Sequence, residues 1–159
     1  MDIFKKITVY QDIIQTFKKI KIMKETINGK CAIQVINRLK TDSKNLLESK
    51  IKEIWIEEMK KLTSSEDSIN KCCPRKTLIG LIINNKTIIN SEKNYNFKSK
   101  NYDCVRFIIE EHLTAKNPIL KTDKLKYWKL IQNKFDNAPK NQNGQLDVLL
   151  ALLQNNLLK

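Results

Sequence analysis

Only three glycines, three prolines and one histidine occur among the 159 residues. That scarcity excludes several chemistries before any motif is read. A phosphate-cradling loop cannot be assembled from Gly29, Gly80 and Gly144, which lie far apart, so nucleotide hydrolysis is not expected. With His112 alone, a metal site would need Cys, Asp or Glu for every other ligand. No C-x-x-C pair exists, and the adjacent Cys72-Cys73 is not a zinc spacing. No metal and no cofactor are expected. A flexible Gly/Ser linker is missing too, which favours one domain over residues 1–159. No apolar run approaches the roughly 20 residues needed to span a bilayer. The N-terminus has no signal-peptide apolar stretch, so the cysteines are expected to be reduced and the protein cytoplasmic.

Acids are scarce in one region. Residues 71–100 carry seven basic groups against Glu92 alone, whereas residues 31–70 balance seven against seven. The formal net charge is +13. Low-GC codon usage accounts for lysine outnumbering the three arginines (Arg38, Arg75, Arg106), but not for the missing acids. A cationic patch of this kind concentrates polyanions, and the competing interpretation is a merely solvated basic face.

Apolar residues are spaced as in helices throughout. Ile3, Ile7, Tyr10, Ile14 and Phe17 form an amphipathic stripe, giving a helix over 2–25 that Asn28-Gly29 would end. That helix could supply a homodimer contact. The rest of the chain reads as one helical unit written twice. Cys31 and Trp55 recur 73 positions later as Cys104 and Trp128. Leu78-Ile79-Gly80-Leu81-Ile82-Ile83-Asn84-Asn85 recurs 71 positions later as Leu149-Leu150-Ala151-Leu152-Leu153-Gln154-Asn155-Asn156. The expected fold is therefore all-α: an N-terminal helix (1–27), then a tandem duplication of a three-helix unit (28–90 and 91–159). The third helix of the first unit is expected over about 74–84, with Pro74 as its first residue. Thr87-Ile88-Ile89 could form a short extended piece. Trp55 and Trp128 read as core anchors, Cys31 and Cys104 as small packed residues, and Glu57-Glu58 as solvated.

Three short motifs resemble a family of small bacterial proteins with no assigned function. They are Cys73-Pro74-Arg75-Lys76 leading into Leu78-Ile79-Gly80-Leu81, Tyr95 followed by Ser99-Lys100-Asn101-Tyr102, and Asn143-Gly144-Gln145-Leu146-Asp147-Val148 before Ala151-Leu152. They occur in matching order over roughly residues 28–159. The sequence departs from the pattern at Leu146, where methionine is usual, and in the helix at 2–25. The resemblance implies a fold and no mechanism.

The duplicated residues are all core residues, so function is sought where the copies differ, at the two unequal starts of the third helices. Lys71, Arg75 and Lys76, with Lys86, Lys98 and Lys100, are candidate phosphate contacts. Asn143 and Gln145 are candidate hydrogen-bonding residues, with helix capping by Asn143 and Asp147 as the plainer account. The first functional reading is a non-enzymatic protein binding nucleic acid or another polyanion. The joins at about 63–73 and 136–143 are too long for a helix-turn-helix, which favours phosphate contact over base reading. The alternative is an adaptor or inhibitor of an acidic protein surface. The third is a cysteine enzyme, in which the start of the helix lowers the Cys73 thiol pKa; it would still need a base.

Overall fold

The computed structural model describes residues 25–41, 46–91, 96–112 and 124–159. The expected helix over 2–25, with its homodimer contact, therefore lies outside the described residues, apart from Glu25. So does Tyr95. The regular elements among the described residues are all helices: α1 (Ile27–Thr41), α2 (Glu48–Leu62), α3 (Glu66–Asn70), α4 (Cys72–Ile83), α5 (Lys100–His112), α6 (Lys124–Lys134) and α7 (Gln145–Gln154). None of them is long and apolar enough to cross a membrane.

Their burial follows from their composition. α1 and α2 each bury one face, Cys31, Ala32, Val35, Ile36 and Leu39 on the first and Ile51, Ile54, Trp55 and Met59 on the second. α4 and α7 have no polar face. Every residue from Thr77 to Ile83 is buried, as are Leu146 and Val148 to Leu152. A helix apolar on all sides must be enclosed by others. α4 accordingly packs against α2, α5 and α7, and α7 against α1, α4 and α5. The most extensive contact of α1 is with α7, and that of α5 is with α4. The two halves of the chain are thus interlocked.

α4 and α7 end alike. Asn85 N–H donates to the Ile82 carbonyl at 3.1 Å and Lys86 N–H to Leu81 at 2.8 Å. Asn156 donates to Leu153 at 3.2 Å and Leu157 to Leu152 at 2.9 Å. Both are Schellman closures with asparagine in the left-handed region, Asn85 at φ 55° and Asn156 at φ 54°. Beyond them the chain segments meet in one antiparallel bridge, Thr87 with Leu158. Its hydrogen bonds run from Ile88 N–H to the Leu157 carbonyl and from Lys159 N–H to the Lys86 carbonyl, both 3.0 Å. Of the expected extended piece, Thr87 forms the bridge, while Ile88 and Ile89 lie in a bend.

Several local expectations are corrected. Asn28-Gly29 ends no helix: both residues are buried in the first turn of α1. α4 begins at Cys72, which makes Pro74 its third residue; a first-turn N–H has no partner within the helix, so the ring is tolerated there. Glu58 is not solvated. It is 6% exposed, between Lys61 Nζ at 2.7 Å and Arg38 Nη1 at 3.3 Å. Burial pushes its carboxyl up, but the Lys61 and Arg38 hydrogen bonds prevail and hold it below its ordinary value. Trp55 and Trp128 are core residues, as expected.

Candidate functional site

The starts of α4, α5 and α7 come together. Gly144, the residue capping α7, sits at φ 97°, where a side chain would be strained. A Cβ there would lie 2.7 Å from Asn28 Nδ2 and 3.1 Å from Pro74 Cβ, so α7 begins directly against α1 and α4. The Thr77 hydroxyl donates to the Cys73 carbonyl at 3.0 Å and lies 3.5 Å from the Asn101 carbonyl, tying α4 to α5. Gly80 sets the crossing of these two helices. An added Cβ would stand 2.5 Å from Tyr102 Cβ and Cγ.

Gln145 joins the third start to the second. Its Oε1 accepts from Asn143 N–H at 2.6 Å and its Nε2 donates to Asn101 Oδ1 at 2.9 Å. The expected side-chain cap from Asn143 is absent, for no side-chain cap bond forms at the start of α7. The amide carbonyls of Gln142 and Gln145 accept from Gly144 and Asn143 N–H instead. Asp147 lies in the first turn of α7, favourable for its charge, and pairs with Lys124.

The candidate cations divide by location. Lys71 and Lys76 are exposed and Arg75 half-buried around the start of α4. Lys98 and Lys100 are exposed at the start of α5. None of these has an acidic partner within 4 Å among the described residues, whereas Arg38, Lys61, Arg106, Lys124 and Lys134 each do. Lys86 lies beyond the C-terminal end of α4, 3.8 Å from Glu110. It shares a polar groove of about 480 Å³ with Lys98, Asn84 and Tyr102. Unpaired cations beside the partial positive charge of two helix starts make a field suited to phosphate.

A second cavity, of about 460 Å³, opens beside Gln145. Lys100, Asn101 and Cys104 of α5 form one wall, and Phe135, Ala138 and Pro139, just after α6, form the other. The second wall is fastened from behind. Trp128 Nε1 and Gln132 Nε2 both donate to the Pro139 carbonyl at 3.1 Å, and Ala138 N–H donates to Phe135 at 3.0 Å. The Phe135 ring meets Phe107 edge-on, with centroids 5.9 Å apart at 88°. Sequence reasoning misses this cavity. Only Lys100 and Gln145 among its residues are candidates by sequence, because its outer wall is an irregular loop without periodicity.

Cys31, Cys73 and Cys104 are all held above the ordinary thiol pKa. Burial and the neighbouring Cys72 raise the Cys73 thiol pKa, outweighing Lys71 and Lys76, against the expected lowering at a helix start. Burial, with Asp103 beside it, pushes Cys104 up to about 11. Burial, aided by Glu58, takes Cys31 to about 12. Among the described residues no group of His, Cys, Asp and Glu could hold a metal ion.

No curated protein and no solved structure matches the chain. A family model does, over residues 29–159, and the chain belongs to that family, a family of unknown function (DUF6979).

Proposed function

We propose that the protein is a non-enzymatic nucleic-acid-binding protein that holds phosphates through Lys71, Arg75, Lys76, Lys98 and Lys100. The observation that carries this reading is the state of those cations. They surround two helix starts linked through Thr77 and Asn101, and no acid neutralises them among the described residues. Lys86 and the other paired cations belong to the scaffold. Salt-titrated binding tests it. Affinity for generic DNA or RNA should fall steeply with salt, by about 0.9 logarithmic units per unit of log salt for each duplex phosphate contact. Replacing Arg75, Lys76 and Lys100 together by alanine should flatten that slope. Absence of binding at micromolar protein and low salt removes the reading, and binding to an acidic protein surface alone would replace it.

The scaffold carrying this face is a tandem duplication, with α1–α2–α4 and α5–α6–α7 as its copies. The matched Schellman closures support this, as does the bridge, whose paired hydrogen bonds exchange under the 71-residue offset. Contacts exchange as well: Gly29 of α1 lies against Ala151 of α7, and Tyr102 of α5 against Gly80 of α4. The copies then diverged at their third-helix starts, one becoming cationic (Arg75, Lys76) and the other amide-bearing (Gln145). Superposition of the two halves in an experimental structure is the test, and helices that fail to coincide would refute it.

A further inference from the structure

The geometry points to a second binding element beside the lysines: the cavity between α5 and the loop after α6 takes one unpaired nucleobase of a single strand. It rests on the nucleic-acid reading and adds to it. At about 460 Å³ the cavity falls within the range of small-ligand sites, roughly 300–1,000 Å³, and its lining is mainly apolar. Three features suit a base. Phe135 is an aromatic wall on which a base can stack, held in orientation by the edge contact with Phe107. A hydrogen-bond chain runs from Asn143 N–H to Gln145 and on to Asn101 Oδ1. It leaves the Asn101 Nδ2 donors without an acceptor among the described residues, available to a base carbonyl or ring nitrogen. Asp136, exposed and without a cationic partner among the described residues, can accept from an amino or ring N–H on the same edge.

The charges at the mouth fit a nucleotide. Lys134 is engaged by Glu111 at 3.9 Å and lies over the Phe107 ring, and Asp103 is engaged by Arg106 at 3.6 Å. Lys100 is left for the adjoining phosphate, and it leads back to the cations around α4. The wall is built before any ligand arrives, because Trp128 and Gln132 hold Pro139 from behind. A base still paired in a duplex cannot enter such a cavity, so strandedness should be read here even without sequence preference.

Trp128 is a built-in reporter, since its indole N–H donates to a carbonyl on the cavity wall, while Trp55 is buried against α1. The probes are a single-stranded RNA of about ten nucleotides and the same sequence as a duplex, at matched salt. The single strand should bind about tenfold tighter and shift the Trp128 indole N–H resonance but not that of Trp55. Ala138→Phe fills the cavity and should abolish both effects, leaving binding of both forms at the duplex level. Asn101→Asp keeps an acceptor for Gln145 but removes the Nδ2 donors, and should lose the preference as well. Melting curves establish that both variants fold, and Asn101→Asp carries the test if Ala138→Phe does not. Equal affinity for the two forms, a silent Trp128 indole, or a folded variant with the preference intact overturns the cavity while sparing the phosphate face. If neither form binds at low salt, both readings fall.

Discussion

α4 and α7 end with the same hydrogen bonds and begin with different chemistry. At their C-terminal ends the same asparagine-led closure occurs in both, and the two chain segments beyond it bond to each other. At their starts, buried Pro74 lies against Gly144; beyond it α4 carries half-buried Arg75 and exposed Lys76, whereas α7 carries the buried amide of Gln145. Ends that complete the backbone hydrogen bonding of an enclosed helix have little freedom to change. The starts share no such matched bonds and are free to differ.

The largest effect expected from breaking this comparison is at the helix crossings. Gly80→Val places methyl groups where even a Cβ would be 2.5 Å from Tyr102, and should cost about 3 kcal/mol in urea unfolding. Ala151→Gly, the reciprocal change on α7, should cost only about 1 kcal/mol. Next comes Gln145→Leu, which leaves Asn143 N–H and Asn101 Oδ1 without their partner and should cost about 2 kcal/mol. Pro74→Ala, at the matching position of α4, should change the same unfolding curve by less than about 1 kcal/mol.

Glu58 sharpens the contrast at another level, because its counterpart 73 residues on is the fully buried Ile131. Its folded carboxyl lies below the ordinary value of 4.5, so its stabilisation is present above that pH and lost as pH falls through the folded value. Glu58→Gln should cost about 1 kcal/mol at pH 7, a modest figure because Arg38 and Lys61 are well exposed. The difference from the wild type should shrink as pH falls below 4.5 and through the folded value, and a pH-independent difference would contradict the ion-pair account. Smaller still, alanine at Lys71, Arg75 and Lys76 should leave stability within about 0.5 kcal/mol while reducing the salt dependence of binding. Cys73 should alkylate at neutral pH more slowly than a free cysteine, and faster as pH rises.

Features that depend on periodicity are legible in the sequence. The all-round apolarity of Leu78–Ile83 and Leu149–Leu153 identifies the enclosed helices, and the matched tryptophans identify core positions. Asn28-Gly29 misleads because that pair usually ends a helix, yet here close packing of α1 on α7 overrides the local preference. Glu58 looks like one of many helix-surface acids, and its burial depends on Arg38, twenty positions away. Of the candidate site, the lysines are visible as a gap in acids. The cavity is not, because its outer wall is a loop oriented by a tryptophan and a glutamine behind it.

The interlocking of the halves also constrains how the protein is made. The apolar face of α1 is shared between α2 and α7, whose Ala151 follows Gly29 by roughly 120 residues, on the order of ten seconds of synthesis. During that time Ala32, Val35, Ile36 and Leu39 have only α2 to shield them. Nascent chains should therefore keep part of this face open until α7 is made, so the shared core closes only once both halves of the chain are present.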